Sequence, residues 1–253
     1  MFERATAIRK IDERDLLDEF EAGQLAVELD DATPQEVIAY ALERWGSQVA
    51  ICTSFQAEGM AILDMAWRID NNVRIFTVDT GRLHQETYDA MEEVRQRYGI
   101  DVEVYFPDAK QVENMVRRFG PNLFQKSVEA RLTCCNVRKV EPIRGVLEGL
   151  DAWVTGLRRD QSVTRADTGA LEFDQGHGGI AKLNPIIGWT DAELWAYADA
   201  QRVPIHPLHK KGYPSIGCGP CTRAVKPGEH PRAGRWWWEN PESKECGLHP
   251  VKG

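Results

Sequence analysis

The stretch VAICTSFQAEGMAILDMAWRID, residues 49–70, decides the fold. Residues 49–54 are apolar or small, as in a strand buried on both faces. From residue 57 to 70 the apolar positions recur at helical spacing. A strand that turns directly into a helix is half of a βαβ unit. The alternation repeats downstream. Strands are expected at 49–54, 73–78, 102–106, 152–156 and 183–187, and helices over 57–70, 84–98, 109–119, 137–149 and 191–201. This rhythm predicts an α/β fold, a mostly parallel sheet with helices on both faces. Such sheets bind ligands beyond the carboxyl ends of their strands.

Upstream, residues 12–29 read as an acidic amphipathic helix carrying Leu16, Leu17, Phe20, Leu25 and Val27. Thr33-Pro34-Gln35-Glu36 is a capping box with proline at the first helical position, and Gly46 is a plausible stop. Thr190-Asp191-Ala192-Glu193 is a second capping box. Downstream of residue 203 the pattern fails, because Pro204, Pro207, Pro214, Pro220, Pro227, Pro231, Pro241 and Pro250 leave no room for long helices. Three segments follow from this: an acidic N-terminal one (1–33), an α/β body (34–203) and an irregular tail (204–253) that needs support from a metal centre or from packing on the body.

The 253 residues include 31 Lys plus Arg and 39 Asp plus Glu, a formal net charge of −8, with 42% hydrophobic and 28% charged residues. These values exclude wholesale disorder and collagen-like or low-complexity classes. No apolar run approaches the roughly 20 residues that span a bilayer. Met1-Phe2-Glu3-Arg4 leads into acidic sequence without an apolar signal core, so a cytoplasmic protein is expected. Residues 1–33 carry a net −6 and residues 206–253 a net +4. A net-acidic chain is a poor general nucleic-acid binder. A basic tail suits a small anion, or is merely part of an unevenly charged surface.

Several loops could carry chemistry. Cys52-Thr53-Ser54-Phe55-Gln56-Ala57-Glu58-Gly59 can present backbone N–H groups to an oxyanion at a helix N-terminus, although it is neither a Walker A loop nor GxGxxG and an ordinary βα turn reads the same way. Val78-Asp79-Thr80-Gly81-Arg82-Leu83 ends a second strand, where Asp79 and Thr80 could bond a ligand or cap the next helix. Thr155-Gly156-Leu157-Arg158-Arg159-Asp160-Gln161-Ser162, with Arg165 beyond, offers three guanidiniums suited to phosphate or sulfate oxygens, or a solvated loop held by Asp160 and Asp167.

Cysteine gives the strongest signal. In an intracellular chain of this size, metal binding or thiol chemistry is a better reading of six cysteines than disulfide stapling. Cys134-Cys135 and Cys218-Gly219-Pro220-Cys221 supply four thiolates for zinc or an iron–sulfur cluster. Adjacent cysteines converge poorly on one tetrahedral ion, whereas a cubane spreads its ligands over four irons, so [4Fe–4S] is favoured. Buried apolar thiols would explain Cys134 and Cys135 but hardly the pair in a Pro/Gly loop. Cys52 lies within a strand pattern and reads as core. Cys246, with Lys244 and His249 near, is either an incidental surface thiol or a nucleophile on a terminal arm. Arg232, Arg235 and Trp236-Trp237-Trp238 precede it, and at least one of these tryptophans is expected to anchor the tail.

Together Cys134-Cys135, Cys218-Gly-Pro-Cys221 and Glu245-Cys246-Gly247-Leu248-His249 resemble assimilatory adenylyl-sulfate (APS) reductases, the iron–sulfur branch of the phosphoadenylyl-sulfate (PAPS) reductase family. Val78-Asp79-Thr80-Gly81-Arg82, the 156–162 loop and residues 231–239 also read as family motifs, and the resemblance runs from about residue 35 to the end. One departure stands out: where the family's loop reads close to Ser-Phe-Gly-Ala-Glu-Asp, Gln56 replaces the glycine and Gly59 the acid. The resemblance implies a Rossmann-like adenine nucleotide α-hydrolase fold. It implies reduction of APS to sulfite and AMP in sulfate assimilation towards cysteine, with thioredoxin as electron donor. It also implies a [4Fe–4S] cluster on Cys134, Cys135, Cys218 and Cys221, and Cys246 as nucleophile with His249 beside it. Lys139 would lie between cluster and sulfate, and Arg232 and Arg235 would hold the sulfate. Ser54, Phe55, Asp79, Thr80, Gly81, Gly156, Arg158, Arg159 and Arg165 would serve the nucleotide.

The chemistry is coherent on its own terms. A Cys246 thiolate attacks the sulfur of the mixed anhydride, AMP leaves, and an S-sulfonate forms. A second thiolate must then release sulfite, and no remaining cysteine is an obvious resolver, so an external dithiol is required. The cluster is expected to act through electrostatics, with Lys139 as the link, and not to carry electrons. The alternatives are a PAPS or dual-substrate reductase, an adenylating or tRNA-thiolating enzyme of the same fold, and a non-catalytic iron–sulfur sensor. The tRNA-thiolating reading lacks its SGGxDS-type loop, and the sensor leaves Cys246 and the arginines idle. The acidic N-terminal helix is a candidate to cover the sheet edge or to mediate homo-oligomer assembly.

Overall fold

The computed structural model describes residues 14–161 and 165–240. Six strands form one sheet in the order β3-β2-β1-β4-β6-β5. They are β1 (Val49–Cys52), β2 (Ile75–Val78), β3 (Glu103–Tyr105), β4 (Ala152–Val154), β5 (Leu171–Asp174) and β6 (Ile180–Leu183). All neighbours pair in parallel except β5 and β6. The sheet is therefore mostly parallel, in line with the βα alternation of the sequence.

Side chains alternate between two buried faces, as a period of two requires. Val49, Ile51, Ile75, Ala152, Val154, Ala181 and Leu183 enter the larger core. There they meet α2 (Pro34–Trp45), α3 (Ala57–Ile69) and α8 (Asp191–Gln201). Ala50, Phe76, Trp153 and Ile180 face the other way, onto Ile143, Val146 and Leu147 of α7 (Glu141–Leu147). Both capping boxes, at Thr33 with Glu36 and at Thr190 with Glu193, are present.

Four elements differ from the sequence reading. The first helix, α1 (Glu19–Asp30), starts later than expected, at the side-chain cap of Asp18, and packs on β5. The last strand precedes the expected 183–187. Pro185 cannot donate to a ladder, so Ile186 and Ile187 are buried in a turn instead. Strand β5 escaped notice because only Leu171 of its four residues is fully buried. It returns to β6 through Gly178 and Gly179, both at positive φ. Finally, the expected helix 137–149 is the end of a longer run: α6 (Val128–Cys135), a five-residue π-turn (Asn136–Val140) and α7. Between them, α4 (Gln85–Tyr98) and α5 (Ala109–Phe119) match the sequence reading closely.

The tail is irregular as far as it is described. It holds two short 3₁₀ turns, Pro207–Lys211 and Gly219–Cys221, and a single bridge between Thr222 and Arg235. No helix of the described residues is long and apolar enough to cross a membrane.

Candidate functional site

Strand order reverses between β1, which leads outward to β2 and β3, and β4, which leads outward to β6 and β5. Loops after those two strands diverge there and open a crevice. A cavity of about 560 Å³ occupies it and runs from the β1 and β4 loops to the tail.

Around the β1 loop the walls are close. Thr53 Oγ1 accepts from Phe55 N at 3.0 Å, and Phe55 takes a positive φ of 57°. That conformation turns the Phe55 ring fully into the core, outside the cavity lining. Ser54 faces the cavity and accepts from Gln56 Nε2 at 2.7 Å. Gln56 Oε1 in turn accepts from Ile216 N at 2.6 Å, so this residue fastens the tail to the loop. Two glycines allow the approach. A Cβ on Gly59 would stand 2.4 Å from Thr53 Oγ1, and one on Gly156 would stand 3.0 Å from Glu58 Cβ. At the N-terminus of α3, Ala57 N donates to His209 Nε2 at 3.3 Å. Burial holds the His209 imidazole below its ordinary pKa, which suits this acceptor role.

In the β2 loop, Asp79 is consumed locally, accepting from Gly81 N at 2.7 Å and Tyr88 Oη at 2.9 Å. Neither Asp79 nor Gly81 lines the cavity; Thr80 and Arg82 do. Thr80 Oγ1 lies 3.2 Å from Cys218 Sγ, and the Thr80 carbonyl accepts from Arg138 at 2.7 Å.

The three arginines after β4 separate. Arg158 lines the cavity but is buried, bonded to Glu58 and Asp191 at 3.1 Å each. Arg159 turns away, donating to Thr168 O and Asp30 at 2.9 and 2.8 Å on the α1 side. Arg165 lines the cavity and donates to Gln161.

At the other end lie the thiols. Cys134 and Cys135 end α6, and Cys218 precedes and Cys221 ends a 3₁₀ turn that Arg82 O holds through Gly219 N at 2.8 Å. All four line the cavity and pack with Phe124, Trp236 and Trp238. Burial, and then the proximity of Cys218, Cys135 and Cys134, push the Cys221 thiol up to about 12. Burial likewise raises Cys134, against the pull of Arg138. Cys52 is pushed up to about 11 by burial, with Lys139 opposing. Among the described residues, no group of three or more His, Cys, Asp or Glu side chains is placed to hold a single metal ion. Lys139, Arg138, Arg232 and Arg235 line the same cavity, with Arg138 near Cys134 and Arg235 near Cys221.

Cys246 and His249 lie outside the described residues. Sequence reasoning did not single out His209 or Arg138, and it marked Gln56 only as a departure from the family's loop. Arg138 carried a usable signal, since it stands four residues after Cys134, one helical turn along the same face.

The family model for the phosphoadenosine phosphosulfate reductase domain matches residues 48–224. An adenosine 5′-phosphosulfate reductase of Allochromatium vinosum is 51% identical over 201 residues, 79% of this chain and 78% of that protein. One of Pseudomonas aeruginosa is 42% identical over 98% of this chain and 93% of that protein. A crystal structure of PAPS reductase from Candida auris, a phosphate complex, superposes with a TM-score of 0.71 at 26% identity, covering 84% of this chain and all of that one.

Proposed function

The chain belongs to the phosphoadenosine phosphosulfate reductase family, and we propose that it reduces adenylyl sulfate to sulfite and AMP with thioredoxin as the electron donor, in the cytoplasm. The observation that carries this reading is a single cavity that joins three nucleotide-type loops to four thiols and a cluster of cations. The relatives named as adenosine 5′-phosphosulfate reductases favour APS as the substrate.

The four thiols suit a [4Fe–4S] cluster. They come from two segments and pack together with Phe124, Trp236 and Trp238. Cys134 and Cys221, whose burial resists ionisation, become good ligands beside iron charge. When bound, the cluster would supply a fixed frame beside the sulfate end, and the neighbouring cations would offset the net negative charge that its four thiolates bring.

The chain's own groups do the rest. Ser54 and the backbone at the start of α3 receive the nucleotide phosphate. Lys139, Arg232 and Arg235 receive the sulfate and offset the repulsion between two anions. The Cys246 thiolate attacks the sulfate sulfur; an S–S bond forms, the bridging S–O bond breaks, and AMP leaves. A thioredoxin thiolate then attacks Cys246 Sγ, sulfite departs, and the second thioredoxin thiol resolves the mixed disulfide. Thioredoxin's dithiol thereby supplies both electrons. The iron oxidation state is unchanged throughout, and a Mössbauer change during turnover would refute that part.

The test is mass spectrometry after adding APS without reductant. The expected result is a gain of one SO₃ on Cys246, released by thioredoxin. Its absence from an active enzyme rejects the covalent route. Comparing kcat/KM for APS and PAPS separates the two substrates.

A further inference from the structure

Arg131 is the one arginine among the described residues with no exposed surface. It lies on α6, three and four residues before the two cysteines. Its Nε donates to both carboxylate oxygens of Glu239, at 2.8 and 3.1 Å, and the Glu239 side chain is only 4% exposed. The guanidinium carbon also stands 4.4 Å from the Trp236 ring centroid. Arg235 stands 4.6 Å from the same ring. Trp236 is itself buried, at a φ of 39° that a bulky residue adopts only when its surroundings enforce it. The Arg235 guanidinium is confined further, packing so closely on Gly217 that a Cβ there would be 2.5 Å away, and donating to Ile216 O at 3.1 Å.

Burying a guanidinium and a carboxylate is a poor route to stability, since an apolar pair of similar volume often does as well or better. What the pair supplies here is position. It joins the helix that carries Cys134 and Cys135 to the last described turn of the tail. Glu239 also neutralises Arg131, while Arg235, on the same ring, lines the cavity. From Glu239, seven residues lead to Cys246, a covalent reach of at most about 25 Å. Glu239 therefore fixes the point from which that thiol must reach the sulfate.

Resting on the function proposed above, we propose that Arg131 and Glu239 are positioning residues: a buried clasp that aims Arg235 through Trp236 and anchors the base of the arm bearing Cys246. The clasp acts on sulfur transfer and not on nucleotide binding, because neither residue belongs to the three nucleotide-type loops.

The test uses the iron-loaded enzyme and two variants, Glu239→Gln and the apolar double variant Arg131→Met/Glu239→Leu. Three quantities are read: iron content, AMP affinity, and the rate of SO₃ transfer to Cys246 at saturating APS. The expected result for the double variant is parental iron content, AMP affinity within about twofold, and a transfer rate lower by roughly 10- to 100-fold, the scale of a displacement near 1 Å. Glu239→Gln should fall at least as far. A double variant that transfers SO₃ at the parental rate overturns the inference. So does one in which iron, AMP binding and transfer collapse together, for the pair would then be a fold element only. A parent enzyme that gains no SO₃ refutes the proposed function itself.

Discussion

Replacing Gly156 by alanine tests how closely β4 and α3 must approach to build the crevice. The new Cβ would lie 3.0 Å from Glu58 Cβ and 3.4 Å from Gly59 N. Carbon pairs prefer about 3.5–4.0 Å, so α3 must retreat by roughly half an ångström or more. It has little room, because Met60, Ala61, Ile62 and Leu63 behind that turn are essentially inaccessible. Overpacking of this kind costs about 2 kcal/mol, which for a chain of this length lowers Tm by roughly 4–8 °C. The φ of Gly156 is not positive, so the cost comes from crowding and not from backbone strain. Gly145 is the control: it sits in α7 with nothing within 4 Å of a new Cβ, and Gly145→Ala should stabilise by about 0.5–1 kcal/mol. Thermal unfolding of both variants and calorimetric AMP binding to Gly156→Ala make the comparison, with AMP affinity expected to drop about tenfold, or 1.4 kcal/mol. Unchanged Tm and AMP affinity in Gly156→Ala would refute the argument that this contact shapes the crevice.

Two further predictions concern charge. His206 is buried, its Nδ1 accepting from Leu208 N at 3.2 Å and its Nε2 facing Thr87 Oγ1 at 3.1 Å. Burial, and then the neighbouring His209, lower its pKa to about 4. Below pH about 6.5 the unfolded chain takes up a proton that the folded chain refuses. Stability therefore falls as pH drops from about 6.5 to about 4, by no more than about 3 kcal/mol from this group. Urea melts across that range should show the loss, and His206→Gln should flatten it; an equally steep loss in the variant refutes the assignment. Among the arginines after β4, Arg158→Leu should cost about 3 kcal/mol by leaving the part-buried Glu58 carboxylate without its charged partner and with only the neutral Gln161 amide. Arg159→Leu, which breaks the half-exposed pair with Asp30 and one hydrogen bond to Thr168 O, should cost only about 1 kcal/mol. Equal losses would show that the two side chains are not partitioned as described.

Most of the parallel body was legible because β1, β2, β4 and β6 are almost wholly buried and α2, α5 and α8 start at side-chain caps. The 109–119 and 191–201 helices match the structure residue for residue. Strand β5 was not legible, because an edge strand of four residues, three of them only partly buried, has no pattern to detect. The site divides in the same way. Residue type marked the loops that reach the cavity, but not which side chain in each loop faces it. Asp79 looked like a ligand group and is spent on Gly81 and Tyr88; Phe55 looked like part of the loop and fills the core. Adjacent residues in a loop can point in opposite directions, and single-residue spacing does not say which points where.

The paired cysteines show how one residue outside the site sets its geometry. Cys134 and Arg138, and Cys135 and Lys139, are each four apart, so a helix through this stretch puts thiols and cations on one contiguous face. Pro142 then intervenes. It has no N–H for the carbonyl of Arg138 and its ring crowds that oxygen. The chain answers with a π-turn, in which Glu141 N reaches back five residues to Asn136 O. Asn136 Nδ2 donates to Glu141 Oε1 at 2.7 Å and clips the widened turn shut. Widening places Arg138 on Thr80 O while Lys139 remains on the cavity wall with both cysteines. The adjacency that counts against a single tetrahedral ion is thus built into a helix bent beside it, and the bend is set by a proline two residues beyond the π-turn.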